Sequence, residues 1–204
     1  MDSVDSDERI DYTSKEYWDK RYSSNETSYD WYSDIWELLF NRTMDYNTFK
    51  VFDIDRFVKR TDLILFPGCG NSCQSTSFYL LLVMCRDMYI DGYHHITAFD
   101  YSETVINRCI ERDKECSSLR CSPIVFVWTV DEIMDCFKMT YPPSSFDVVI
   151  DKSTLDTFLC SEDLFNRIPE YLSGIANVLK QNGKLMLISI NPPEAVLEVY
   201  SCDL

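Results

Sequence analysis

Leu63-Ile64-Leu65-Phe66-Pro67-Gly68-Cys69-Gly70-Asn71-Ser72 is the stretch that decides how this chain folds. Four consecutive apolar residues suit a short strand buried on both faces, as in a parallel sheet flanked by helices. The run then breaks into Gly68-Cys69-Gly70 at its carboxyl end. Glycine lets the backbone turn sharply and lets a ligand approach it closely. In open α/β sheets, ligands lie at the carboxyl ends of strands where the strand order reverses. The plain alternative is an ordinary strand-to-helix turn. Cys73 stands where G-x-G-x-x-G would need its third glycine, which weakens a dinucleotide reading.

Working outward, Ile96-Thr97-Ala98-Phe99 leads into Asp100, Ile124–Trp128 is a third strand, and Phe146–Asp151 a fourth. Ser102 is placed to cap a helix carrying Val105, Ile106, Cys109 and Ile110 at helical spacing. Tyr171, Leu172, Ile175, Val178 and Leu179 share one face of a helix that runs to about Leu179, with Pro169 in its first turn. Asn182-Gly183 ends that helix, and Lys184–Ile190 is a fifth strand. Strands alternating with helices predict an α/β architecture with a mostly parallel sheet. Before it, aromatic residues are dense from Tyr17 to Phe57, and most of them are expected to pack onto the core, with a short helix over Asp34–Asn41. Tyr79–Tyr89 reads as an added stretch of helix or loop.

The chain's 204 residues suit one domain: a loose acidic tail over 1–15, then 16–204, divided into an aromatic segment (16–60) and a core (61–190). Its 19 Lys and Arg against 34 Asp and Glu leave a net charge of −15. So acidic a chain has little attraction for a phosphate backbone, so no nucleic-acid partner is expected and a basic protein is favoured. Nine cysteines without a C-x-x-C pair, and only two histidines, count against a zinc site. The first ten residues carry no basic segment leading into an apolar one, so no secretory signal is expected there. Reduced thiols in cytosol or nucleus follow, and a cytoplasmic location is expected. The longest apolar run, Phe78–Cys85, is far shorter than the roughly 20 residues of a membrane span, so no membrane association is expected.

Three features would meet on one sheet edge: the glycine turn, Asp100 and Asp151. A carboxylate at the end of the second strand can accept both hydroxyls of a ribose; the alternative is an acid favoured by a helix N-terminus. Lys152 beside Asp151 is either a reactive-site cation or a surface lysine paired with an acid.

Glu16-Tyr17-Trp18-Asp19-Lys20-Arg21-Tyr22, Tyr29-Asp30-Trp31-Tyr32, Gly68–Ser72, Phe99-Asp100-Tyr101-Ser102 and Asp151-Lys152-Ser153-Thr154-Leu155-Asp156 occur in this order. Together they resemble the class I, seven-strand S-adenosylmethionine-dependent methyltransferases, and within them the group that methylates lysines of translation elongation factor 1-alpha. The resemblance implies a Rossmann-like sheet with helices on both faces. Since the chain stops at Leu204, it implies that the last two strands are missing. It implies S-adenosyl-L-methionine as cofactor and no metal. Gly68, Cys69, Gly70, Asn71 and Ser72 would hold its methionine part, Asp100 its ribose and Tyr101 its adenine. Trp18 and Arg21 belong to the family's N-terminal segment, and Arg21 suits the cofactor carboxylate, which a guanidinium can grip with two bonds. Thr129 or Asp131 would meet the adenine amine after the third strand. Asp151 and Lys152 would stand at the reacting centre, with Asp151 near the methyl and the substrate amine. Trp31 and Tyr32 would wall a channel for a lysine stem. Ser153 replaces the family's usual glycine. The implied activity is protein-lysine methylation of an elongation factor. A methyltransferase of small molecules or other proteins, and a binding protein on the same fold without turnover, remain the alternatives.

Overall fold

The computed structural model describes residues 12, 14–23, 54, 57–70, 85, 88, 89, 92–108 and 129–194. The expectations for the tail up to Asp11, Trp31, Tyr32, the 34–41 helix, Asn71, Ser72, most of 79–89, and 109–128 fall outside these residues.

The elements in chain order are α1 (Lys15–Ser23), β1 (Ile64–Pro67), β2 (Ile96–Asp100), β3 (Thr129–Ile133), β4 (Phe146–Lys152), α2 (Thr154–Leu159), α3 (Glu162–Phe165), α4 (Ile168–Val178) and β5 (Leu179–Ile188). Residues 103–108 are also helical. The five strands form one sheet in the order β3-β2-β1-β4-β5, and every pairing is parallel. The order reverses between β1 and β4, which makes the carboxyl end of β1 the switch point where doubly wound sheets place ligands.

Both faces of the sheet are covered, for the reason the apolar runs foreshadowed. Successive residues of a strand point to opposite faces. Ile64, Phe66, Ala98, Val148 and Ile150 pack with Trp18 and Tyr22 of α1 and with Val105. Leu65, Phe99 and Val149 pack with Leu155 and Phe158 of α2 and with Tyr171 and Ile175 of α4. β1 is buried along its whole length.

One strand departs from its expected start, and another is described only in part. The third strand is described at Thr129–Ile133, with Thr129 level with Thr97 and Ile133 level with Asp100, while the expected Ile124–Trp128 lies outside the described residues. The fifth strand begins at Leu179, directly after α4. Its register skips from Phe146↔Leu179 to Val148↔Lys184, so residues 180–183 bulge out of the ladder where Asn182 has φ 65°. There Lys180 Nζ donates to Asp147 Oδ2 at 2.8 Å. The expected helix before β5 is α4, with proline in its first turn as predicted, and two shorter helices, α2 and α3, precede it.

Between β4 and α2 the chain turns at Ser153, with φ 69° and ψ 0°. That left-handed conformation strains a residue with a Cβ, and glycine relieves the strain. Ser153→Gly is therefore expected to raise stability by about 0.5–1 kcal/mol, after the greater unfolded-state freedom of glycine is set against the relief. Urea unfolding of the two proteins measures it.

Candidate functional site

The carboxyl rim of the sheet gathers several of the residues singled out in the sequence, namely the Gly68–Gly70 turn, Asp100, Tyr101 and Asp151. β1 ends at Pro67, and Gly68 and Gly70 follow with φ 59° and 54°. The turn is tied to β2 by two amides. Cys69 N donates to Phe99 O at 3.0 Å, and Gly70 N donates to Asp100 Oδ2 at 2.9 Å. Asp100 Oδ1 accepts from Ser102 N at 2.9 Å. Asp100 is only 4% exposed, so these donors offset much of what desolvation costs its carboxylate. Ser102 caps the next helix as expected: its Oγ accepts from Val105 N at 3.5 Å and donates to Asp19 of α1. Tyr101, half-buried, packs against the same cluster as Trp18.

α1 lies against this turn. Trp18 and Tyr22, four apart and so on one helix face, are buried and stacked with ring centroids 5.6 Å apart. Trp18 Nε1 donates to Tyr12 O at 2.8 Å, which places its ring in the core with its polar edge satisfied. Tyr22 Oη is 3.0 Å from the point where a Cβ on Gly70 would stand, so Gly70 has room for hydrogen but little more on that side. Burial, with Asp100 nearby, pushes the Tyr22 phenol well above its ordinary range and keeps it protonated. Arg21 is half-buried, and its Nη1 donates to Tyr17 Oη at 3.3 Å.

Asp151 ends up turned inward, away from the open rim. It is 1% exposed. Its Oδ1 accepts from Thr154 N at 2.8 Å, its Oδ2 accepts from Tyr171 Oη at 2.7 Å, and both oxygens accept from Leu155 N at 3.3 and 3.1 Å. The carboxylate closes the first turn of α2 and joins it to α4. Burial raises its pKa to about 6, against the pull of these donors. Lys152 is half-buried and in register with Ile188.

The β3 boundary moves the adenine-side candidates. Thr129 and Asp131 both lie within β3, whereas the residues that follow the strand are Met134 and Asp135. Met134 N donates to Asp100 O at 3.0 Å, so this corner adjoins the ribose candidate. The strand's carboxyl end is five residues later than the apolar run indicated, which is why a position counted from that run falls within the ladder.

Three residues of the rim carried no role in the sequence reading. Tyr22 was signalled by its spacing from Trp18. Thr154 Oγ1 donates to Pro67 O at 2.9 Å, a bond between residues 87 apart that no local pattern reveals. Asp156 accepts from Ser189 Oγ, from Ile190 N at 3.2 Å and from Asn191 Nδ2 at 2.9 Å, and so fixes the segment after β5 to α2.

A family model described as a methyltransferase domain matches residues 62–200. The chain is 27% identical over 183 residues to the human (Homo sapiens) eEF1A lysine and N-terminal methyltransferase, covering 88% of this chain and 22% of that protein. It is 28% identical over 184 residues to EEF1A lysine methyltransferase 4 of Mus musculus, covering 89% of this chain and 60% of that one. The chain thus spans less than two thirds of the length of these curated relatives. Among solved structures, a SAM-dependent methyltransferase from Methanosarcina mazei aligns with a TM-score of 0.49 at 18% identity, over 74% of this chain and 63% of that one.

The raised pKa of Asp151 makes a signed prediction. Between the ordinary carboxylate value and about 6, the folded chain holds a proton that the unfolded chain releases. This contribution to stability is therefore present at low pH and is lost as pH rises through 6. Relative to Asp151→Asn, the native protein is expected to lose about 1–2 kcal/mol between pH 5 and pH 7. Urea unfolding of both proteins at the two pH values measures the difference, and a pH-independent difference would contradict it.

Proposed function

Since the chain belongs to the methyltransferase-domain family, we propose that it is an S-adenosylmethionine-dependent protein-lysine methyltransferase whose substrate is a translation elongation factor. The observation that carries the reading is the bond from Gly70 N to Asp100 Oδ2, which joins the glycine turn to the acid at the end of β2.

The residues present suit the cofactor. Gly68, Cys69 and Gly70 form a turn with left-handed glycines at the switch point, and a Cβ at Gly70 would crowd the Tyr22 hydroxyl. In the proposal this turn holds the methionine part, Asp100 the ribose hydroxyls and Tyr101 the adenine. Arg21 holds the carboxylate. When bound, the cofactor supplies a methyl group already activated on a sulfonium. The protein's task is alignment: the acceptor nitrogen must face the methyl–sulfur bond at roughly 3–3.5 Å.

A lysine amine, with a reference pKa of about 10.4, must lose its proton first. Desolvation at the rim lowers that pKa. A carboxylate aimed at the amine would raise it, so the inward setting of Asp151 favours the neutral, reactive form. Asp151 therefore acts through the structure it supports. The net charge of −15 attracts a basic partner before contact. The names of the relatives supply the elongation factor, and a cytoplasmic location goes with that substrate.

Two measurements test this. Titration calorimetry is expected to show S-adenosylmethionine binding that Asp100→Ala weakens at least tenfold; no heat at near-millimolar cofactor would sink the enzyme reading. Radiolabelled methyl transfer into cell extract, followed by acid hydrolysis, is expected to label lysine in a translation elongation factor. Label on another amino acid, or on small molecules alone, would redirect the substrate.

A further inference from the structure

A chain of hydrogen bonds runs beneath the glycine turn and links four elements, α4, β4, α2 and β1. Tyr171 of α4 donates from Oη to Asp151 Oδ2, and Asp151 Oδ1 accepts from Thr154 N at the start of α2. Thr154 Oγ1 then donates to Pro67 O, the last carbonyl of β1, at 2.9 Å, and lies 3.4 Å from Gly68 O. A hydroxyl has one proton to give, so the shorter contact takes it. All three side chains are buried, with exposures of 0%, 1% and 9% for Tyr171, Asp151 and Thr154.

The same threonine also fills space against the turn. A Cβ placed on Gly68 would overlap Thr154 Oγ1 and come within 3.0 Å of Cγ2. Gly68 is thus held twice: the carbonyl before it is clamped, and its open side is closed by the threonine. Residues with positive φ keep their conformation when their surroundings determine it. Here the surroundings are Thr154 on one side and the Asp100 carboxylate, which receives Gly70 N, on the other.

We propose that Thr154 is a positioning residue for the Gly68–Gly70 turn. Its hydroxyl clamps Pro67 O and its side chain wedges against Gly68, so that the Gly70 amide is aimed at Asp100 before any ligand arrives, and Asp151 and Tyr171 hold Thr154 in that place. The effect on cofactor affinity rests on the proposed methyltransferase reading; the clamp itself does not. Removing the hydroxyl while keeping the shape leaves a buried carbonyl without its donor. The loosened turn must then be ordered at the moment of binding, which weakens affinity.

Thr154→Val and Thr154→Ser separate the hydroxyl from the rest of the side chain. In the full chain without ligand, hydrogen–deuterium exchange at the Cys69 and Gly70 amides reads the clamp. Calorimetric titration with S-adenosylmethionine reads its consequence. Thr154→Val is expected to speed exchange at both amides about tenfold and to weaken cofactor binding about tenfold, equivalent to ~1.4 kcal/mol. Thr154→Ser is expected to stay within about twofold of the native protein in both. Tyr171→Phe, which removes only the donor to Asp151, is expected to shift both in the direction of Thr154→Val by about threefold. It keeps the test alive should the valine variant not fold. Native exchange in the valine and Tyr171→Phe variants would overturn the clamp. So would a serine variant as loose as the valine one, because packing alone would then hold the turn. An intact exchange contrast in a native protein that gives no heat with S-adenosylmethionine would leave the clamp standing and overturn the cofactor reading.

Discussion

The glycine turn at the end of β1 is the constraint on which the rest of the rim depends. A backbone with two left-handed residues in succession but one has little intrinsic preference for a single shape. It becomes a defined surface only because neighbours hold it from three directions. β2 contributes Phe99 O and the Asp100 carboxylate, α2 contributes the Thr154 hydroxyl, and α1 contributes the Tyr22 ring and hydroxyl. Each of those elements is in turn fixed by a fully buried strand or face, so the apolar core and the polar rim are parts of one arrangement.

The buried acids follow the same logic. Asp100, Asp151 and Asp156 all lie at or just beyond the carboxyl ends of strands and are 4%, 1% and 7% exposed. A carboxylate buried without donors would be prohibitive, and each of these is met by backbone amides together with, for Asp151 and Asp156, side-chain donors. Parallel strands make this possible. Their carboxyl ends all lie on one edge, and the helices that follow begin there with unpaired amides. Asp151 therefore joins a strand end to the next helix, Asp100 ties the turn after β1 to the end of β2, and Asp156 ties α2 to the segment after β5.

What the sequence disclosed, and what it withheld, divides along the range of the interactions. β1, β2 and β4 were legible because each is a short apolar run stopped by glycine or aspartate. Ser102 was legible because a helix start needs a cap within three residues. The carboxyl end of β3 was not legible, because the apolar run stops at Trp128 while pairing with β2 continues to Ile133. Asp151 stands one residue before the carboxyl end of β4, and its carboxylate meets Thr154, Leu155 and Tyr171. The spacing to Thr154 and Leu155 is that of an acid capping the next helix, and that local pattern was available. Tyr171, 20 residues away, and Pro67, 87 residues from the hydroxyl it accepts from, were not available to any periodicity argument. Side-chain bonds of that span exist only after the sheet order has brought the elements together.

Under the proposed methylation of an amine, the inward setting of Asp151 also bears on where negative charge belongs. Long-range attraction of a basic partner calls for acidic groups on the surface, where they raise the encounter rate. At the point of reaction the same sign of charge is unhelpful, because it stabilises the ammonium that has no lone pair to offer. A chain with a net charge of −15 therefore gains from keeping rim carboxylates engaged with its own amides and hydroxyls. Asp151, held by Thr154, Leu155 and Tyr171, is engaged in that way. Its negative charge is held by those donors, and in the proposed reaction this leaves desolvation to act on the incoming amine.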